Sequence, residues 1–450
     1  MINYLYLRNF RAFKSQKFDL AKINVFVGAN NSGKSSALSA LNLLAQTITD
    51  NESGAPLVLR GKYDDLGTFI DIVHGNKPTT QIGIEIGIEK TLHRFDFKYR
   101  TKRKEIEIVN YEIRRDAQHL FSYHSTKDAY NLQYGGKSFE TLLPRVAKRK
   151  PEFWGVWLID PNMDALRTRS GAVSEKFANV PEDILKNLHD VQRSIWSSQR
   201  DLRTEFVEFS SLGSFREPPL RTFLFSGGSP TQVGRTGGNA IEMLVSDSLK
   251  RGSLRRELIE QVSAWLQATG MAKGIKVKSL TPRHFEVCVL GNDGSEHNIC
   301  DVGFGVSQVL PVLVAGFHMF AHGDKVSSRS TAPTFVVQEP EIHLHPNAQA
   351  ELATFFVGIE KLGGQLFIET HSDTLVIRLQ QHVAKGDVAA KDVKIFYMLD
   401  RGGNKEVISL DVDDRGLFDK EWPGGFFPQR QKESLELARA VARNTSDESV

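Results

Sequence analysis

The chain has 450 residues, 40% of them hydrophobic and 25% charged, which excludes a disordered or fibrous chain and, at roughly 150 residues per domain, allows about three units or one large core carrying an insertion. Lys plus Arg number 57 against 54 for Asp plus Glu, so the net +3 does not call for nucleic acid or an acidic membrane, and any such contact must come from local patches. Two cysteines, Cys288 and Cys300, exclude a disulfide framework and a four-cysteine zinc site, and their scarcity fits a reducing, cytoplasmic location.

Met1 to Phe10 alternates as a strand with Arg8 and Arg11 following its apolar residues, the reverse of a secretory signal. A second strand, Ile23 to Val27, runs into Gly28-Ala29-Asn30-Asn31-Ser32-Gly33-Lys34-Ser35. Ala37, Leu38, Leu41, Leu44, Ala45 and Ile48 then recur at helical spacing. From Gln81 to about Tyr134 the pattern alternates, as in Ile82, Ile84, Ile86 and Ile88, and predicts an antiparallel meander. After Pro181, the residues Ile184, Leu188, Val191, Ile195, Phe206 and Phe209 predict a helix of about 30 residues, a short candidate arm. A Gly-, Pro- and Arg-rich loop leads to an amphipathic helix near Leu254 to Leu266.

The remainder returns to α/β alternation. It comprises a hairpin at Asp293-Gly294, an apolar helix after Gly305, and the strands Thr334 to Val337, Gln365 to Ile368 and Val393 to Leu399, with helices Ala348 to Leu362 and Leu375 to Val383 between them. Val306 to Ala321, the most apolar stretch, is broken by Ser307, Gln308, Pro311, Gly316 and His318 and falls short of the about 20 residues that span a bilayer, so no membrane contact is expected. The two ends of the chain are expected to share one sheet.

The run G-x-x-x-x-G-K-S between a strand and a helix is the strongest chemical signal. Its backbone N–H groups and the helix N-terminus can surround phosphate oxygens, with Gly28, Asn30, Asn31, Ser32, Gly33, Lys34, Ser35 and Ser36 forming the cradle. Lys34 would reach the β- and γ-phosphates of ATP and Ser35 would ligate Mg²⁺. Phe335-Val336-Val337 ends in Gln338-Glu339-Pro340-Glu341, where Glu339 can polarise the attacking water. Gln338 stands at a position that usually carries a carboxylate, and an amide is a weaker partner for the hydration shell of Mg²⁺, so slow hydrolysis is expected.

Asp301-Val302-Gly303-Phe304-Gly305-Val306-Ser307-Gln308 offers a second anion-binding helix start; taken alone, helix capping explains it equally well. His371 follows a strand end on the ligand side of an open α/β sheet, although a lone histidine is more often structural. His343 and His345 with His371 and Glu341 are a weaker metal reading, and Asp411 with Asp413 a weaker nuclease reading that a turn at Asp414-Arg415-Gly416 explains as well. Lys102-Arg103-Lys104, Arg114-Arg115, Arg145 to Lys150 and Lys250 to Arg256 are either DNA-phosphate contacts or solvated faces.

Asn9-Phe10-Arg11-Ala12-Phe13, the Gly28 to Ser35 loop, Gly303 to Gln308, Gln338-Glu339-Pro340-Glu341-Ile342-His343-Leu344-His345-Pro346 and Glu369-Thr370-His371-Ser372 together resemble the ABC-type ATPase heads of the SMC, RecF and overcoming-lysogenization-defect group. Gly61-Lys62-Tyr63-Asp64-Asp65-Leu66-Gly67, Arg216-Glu217-Pro218-Pro219 and Trp422-Pro423-Gly424-Gly425-Phe426-Phe427 further resemble a bacterial family of stand-alone AAA-family ATPases. The resemblance implies an α/β fold, with a mixed central sheet flanked by helices, an antiparallel β subdomain and a largely helical insertion.

It implies the N-terminal half of the head with the phosphate loop and meander over 1–135, a mostly helical insertion over 136–270, the C-terminal half over 271–415 and a tail over 416–450. It also implies a head-to-head homodimer, or a higher homo-oligomer, closed by ATP. In that assembly Arg11 reaches toward phosphate, Gly305, Ser307 and Gln308 face the γ-phosphate across the interface, Glu339 is the base, His371 the switch, and Leu344-His345-Pro346 a cross-subunit loop.

Gly305 stands where a serine is usual, and no glutamine lies between Gly61 and Asp71, which leaves Asp64 or Asp65 as the Mg²⁺-side substitute. The relatives include SMC-like repair proteins, nucleases with an appended metal-dependent domain and ATPase subunits of the antiphage systems Septu and PARIS. The insertion is short for a long coiled coil, and the 79 residues after His371 are few for an appended nuclease. The expectation is an ATP-gated switch for a separate effector, a nuclease or toxin, in antiphage defence; the alternatives are a DNA-binding repair ATPase and a self-contained nuclease.

Overall fold

Burying every second or third residue against one core makes a strand of Ile2–Phe10 (β1), with Ile2, Leu5, Leu7 and Phe10 inside. The computed structural model describes residues 1–50, 52–126, 129–143, 146–164, 177, 179–252, 257–320, 333–422, 433 and 435–437. After β1 come β2 (Phe13–Asp19), β3 (Ile23–Gly28), α1 (Lys34–Thr49) and the single turn α2 (Phe69–Ile72). The meander is β4 (Ile82–Ile88), β5 (Thr91–Arg100), β6 (Glu105–Arg115), β7 (Gln118–Ser125), β8 (Tyr130–Tyr134) and β9 (Lys137–Ser138).

There follow α3 (Phe139–Leu142), β10 (Glu152–Trp154), β11 (Trp157–Ile159), α4 (Pro161–Asp164), α5 (Glu182–Val207), β12 (Phe209–Leu212), β13 (Phe223–Leu224), α6 (Ala240–Leu249) and α7 (Leu258–Thr269). The C-terminal part holds β14 (Gly274–Ser279), β15 (His284–Leu290), β16 (Glu296–Asn298), α8 (Phe304–Phe320), β17 (Thr334–Gln338), α9 (Pro346–Lys361), β18 (Gln365–Glu369), α10 (Asp373–Ala384), β19 (Val393–Arg401) and β20 (Asn404–Asp411).

Two sheets organise these elements. The antiparallel one runs β2-β1-β4-β5-β6-β7-β8-β9, and the mixed central one runs β12-β17-β18-β3-β19-β20. β3 pairs in parallel with β18 on one side and β19 on the other, so the two ends of the chain do share a sheet. Residue alternation divides the central sheet between two cores. Phe26, Val336, Phe367 and Phe396 face α1 and the antiparallel sheet, whereas Val25, Val27, Val337, Ile368 and Ile395 join the side chains of α8, α9 and α10. Gln365 ties the sheets together. Its buried amide donates to the carbonyls of Ile2 and Ala21 (2.6 and 2.8 Å) and accepts from the Ile2 N–H (3.0 Å).

Helices α3 to α7 take fewer than half of the described residues of the segment 136–270, which also holds the β10–β11 pair and lends β12 to the central sheet and β13 to a smaller sheet with β15. The helix expected to reach Phe209 stops at Val207, because Phe209 to Leu212 gain more by pairing in parallel with Thr334 to Val337. Nor is α5 an arm: Leu188, Val191, Ile195, Leu202 and Phe206 bury it against the meander and α1. The helix expected from Leu254 is described from Leu258, residues 253–256 lying outside the described residues, as do Arg145 and 423–427. No described helix is long and apolar enough to cross a membrane.

Candidate functional site

The loop between β3 and α1 is held open by glycine. Gly28 has φ 145°, and a Cβ there would stand 2.3 Å from the Met398 carbonyl oxygen on β19; Gly33 enters the helix at φ 104°. No side chain caps the N-terminus of α1 and no acidic residue lies in its first turn, so its N–H groups and dipole are left for an anion. Lys34 folds back, its Nζ donating to the Gly28 and Ala29 carbonyls at 3.1 and 3.0 Å, while the buried Ser32 hydroxyl has no partner. The β19–β20 hairpin closes one side, with Lys405 Nζ donating to the Asn31 carbonyl at 2.7 Å.

Carboxylates face this loop from the ends of β17 and β18. Gln338 and Glu369 are register partners, and the Glu339 N–H donates to the Glu369 carbonyl at 2.7 Å. Glu339 sits at φ 45°, a left-handed turn that swings its side chain off the strand, and its Oε1 lies 3.5 Å from His371 Nε2. Glu341 accepts the His371 N–H at 2.6 Å, and the Ser35 hydroxyl donates to Glu369 Oε1 at 2.9 Å.

Burial dominates the electrostatics. It pushes the Glu369 carboxyl up to about 7, against the Ser35 hydrogen bond and the Lys34 charge. It raises Glu341, lowers the Lys34 ammonium, and with the Lys34 charge holds His371 below its ordinary value, so the imidazole is neutral at pH 7.

Arg216 buttresses the β17 end from behind. It is 4% exposed, and its NH2 nitrogen donates to the Gln338 and Glu339 carbonyls at 2.7 and 3.1 Å, while Nε and NH1 have no partner. Burial brings it down to about 10, with Glu341 and Glu339 pulling it back up. A cavity of about 410 Å³ opens beside Ser35 and Gln338, walled by Arg11, Asp64 and Arg235. There Arg11 donates to the Ser39 hydroxyl at 2.8 Å, Ser39 to Asp64 at 2.9 Å, and Arg235 lies 3.6 Å from Asp64. Asp65 also borders the cavity, but its carboxylate turns to Arg60 at 3.3 Å and to the Gly67 N–H at 3.0 Å. Of the pair, Asp64 is the one whose carboxylate is tied to other walls of the cavity, Ser39 and Arg235.

The structure thus brings together Lys34, Ser35, Gln338, Glu339, Glu369 and His371. It does not present Ser307 in the expected way. That hydroxyl is 7% exposed and donates to the Phe304 carbonyl at 2.9 Å, and Gln308 is also buried. Gly303 and Phe304 are the exposed members of the segment. The departure at Gly305 has a spatial reason, since a Cβ there would stand 3.0 Å from the His343 carbonyl and 3.3 Å from Met271 Cε.

Among the described residues no cluster of His, Cys, Asp and Glu can hold a metal ion by itself. Asp411 pairs with Lys394 at 3.3 Å and Asp413 with Arg415 at 2.9 Å, which gives both carboxylates a structural occupation. Five members of the described basic runs are paired with acids: Arg103 with Glu105, Arg114 with Glu112, Arg115 with Asp201, Lys148 with Glu140 and Lys150 with Glu107. Sequence reasoning missed Arg235 and Lys405, and met Arg216 and Glu369 only as letters within motifs. A charged residue ending the apolar run Leu366-Phe367-Ile368 was the available signal for Glu369.

Residues 1–143 and 234–376 match a family described as the AAA ATPase domain, and residues 388–437 match one described as a protein of unknown function (DUF3696). No curated protein matches the chain. Among solved structures it is similar to a Smc head bound to the C-winged helix domain of ScpA, at 13% identity over 91% of this chain and 97% of that one, with a TM-score of 0.38. A Pyrococcus furiosus Smc head with an extended coiled coil, bound to the C-terminal domain of ScpA, gives 11% identity, 97% and 99% coverage and a TM-score of 0.39. The SMC head domain from Thermotoga maritima gives 10%, 91%, 99% and 0.36.

Proposed function

The chain belongs to the AAA ATPase domain family, and from that footing we propose that it binds ATP at the Lys34 loop and hydrolyses it slowly as a nucleotide-gated switch. One observation carries the reading: an uncapped helix N-terminus and its glycine loop face the Glu339–His371 pair across the ends of three adjacent parallel strands. In this reading the loop N–H groups and Lys34 hold the phosphates, and Lys34 exchanges its two loop carbonyls for phosphate oxygens. Glu339 takes the proton of a water attacking the γ-phosphorus as the bond to the ADP oxygen breaks. Neutral His371 orients Glu339 by donating from the ring. The Ser35 hydroxyl beside a carboxylate-lined pocket suits a hard oxygen-seeking cation, and Mg²⁺ held there would neutralise charge on the β- and γ-phosphates.

A second copy completes the site with its Gly303 to Gln308 segment, whose exposed Gly303 and Phe304 support a role at an interface. Turnover is slow while the copies are apart, because each chain alone supplies half of the lining. The resemblance to antiphage ATPase subunits supports a separate effector, a nuclease or toxin, as the output, and the ATP-bound pair must favour one state of that effector over the other. Arg103, Arg114, Arg115, Lys148 and Lys150 are each paired with an acid, which weighs against DNA clamping through those five side chains.

The test is Lys34→Ala, which should abolish binding of a fluorescent ATP analogue, together with Glu339→Gln, which should bind ATP and accumulate as a dimer in light scattering. Unchanged turnover in Glu339→Gln would remove Glu339 from its role.

A further inference from the structure

The end of β17 carries an amide where the chemistry of a Mg²⁺-triphosphate site calls for a carboxylate, and the neighbouring strand carries a carboxylate with no other evident task. Gln338 and Glu369 are opposite each other in the parallel register of β17 and β18, so both strand ends approach the same loop. Glu369 is 5% exposed. Its Oε1 accepts the Ser35 hydroxyl at 2.9 Å, and its Oε2 is buried without any hydrogen-bond partner. An orphaned carboxylate oxygen in such a place is costly unless something occupies it.

We propose that Glu369 is the metal-side carboxylate of this site, holding the Mg²⁺ of bound Mg-ATP together with the Ser35 hydroxyl from β18 rather than from β17. The proposal rests on the ATP-binding reading above and assigns a ligand within it. Mg²⁺ takes hard oxygen donors and is typically held by one or two carboxylates plus phosphates and water, a set that Ser35 and Glu369 begin.

The register explains why the amide is needed at position 338. Two carboxylates there would stand on neighbouring strands, roughly 4.8 Å apart, with Glu339 and Glu341 close by, and like charges at that spacing oppose each other's ionisation. Placing the charge on β18 and the neutral partner on β17 keeps one carboxylate for the cation.

Affinity for a fluorescent non-hydrolysable ATP analogue, titrated with Mg²⁺ and with EDTA, tests this on the full chain. Wild type, Glu369→Gln and the double variant Gln338→Glu/Glu369→Gln are compared, each checked for a cooperative melt. Wild type should bind more tightly with Mg²⁺, and Glu369→Gln should lose at least about tenfold of that gain. The double variant, which returns the carboxylate to β17, should recover most of it. A Glu369→Gln protein with the full Mg²⁺ gain, or a wild type with no gain at all, would overturn the assignment while leaving ATP binding intact. A wild type that binds the analogue in neither condition would remove the ATP reading and this assignment with it.

Discussion

Replacing Glu369 by glutamine should leave the nucleotide-free chain unchanged in acid and stabilise it above neutral pH. Burial displaces this carboxyl from 4.5 to about 7, while the Ser35 hydrogen bond and Lys34 oppose the displacement and Glu339 and Glu341 add to it. The folded chain therefore binds the proton more tightly than the unfolded chain. Between pH 4.5 and about 7 unfolding releases that proton, so the stability tied to Glu369 is fully present below 4.5 and is lost as the pH climbs through 7. At 1.36 kcal/mol per tenfold in the ionisation constant, the loss is roughly 3 kcal/mol.

Glutamine imitates the protonated form at every pH, so wild type and Glu369→Gln should coincide near pH 4 and diverge by up to that amount near pH 8. Urea unfolding across this range, with EDTA present, measures the gap directly, and the difference cancels other buried acids such as Glu341. Saturating Mg²⁺ with the ATP analogue should shrink the gap, because a cation beside the carboxylate favours its charged form. A gap that does not change with pH would refute the buried-carboxyl account.

Arg216→Met should lower stability by about 2 kcal/mol, since the Gln338 and Glu339 carbonyls lose a charged donor while the cost of burying an under-bonded guanidinium is relieved. As a positioning residue it should reduce kcat at least about tenfold with little change in KM, read by steady-state phosphate release. Gly28→Ala would place a Cβ 2.3 Å from the Met398 carbonyl at a φ of 145° and should displace the loop, abolishing analogue binding and lowering the melting temperature by several degrees.

The elements most legible in the sequence were those whose periodicity has one explanation. β3, its loop and α1 announce themselves through a hydrophobic strand, glycines and a helical apolar face, and the meander through strict alternation. β12 was hidden because Phe206 and Phe209 fall at helical spacing and the strand has only four residues, two of them serines; its identity comes from pairing with β17, which is more than 120 residues away. β2 was hidden because it lies at a sheet edge and reads FKSQKFD, burying little besides Phe13 and Phe18. Local pattern does not carry non-local pairing.

The same limit governed the site. Chain order placed Lys34, Ser35, Glu339 and His371 at strand ends on one side of the sheet, and the fold agrees. Side-chain direction was another matter, for nothing in the letters shows that Ser307 turns inward to the Phe304 carbonyl or that Asp65 turns to Arg60 while Asp64 faces the cavity. The amide at 338 reads from sequence as a weakened site. Only the register of β17 against β18 puts Glu369 beside it and gives that carboxylate the Ser35 hydroxyl, so a residue that looks like a loss on one strand becomes the neutral half of a pair.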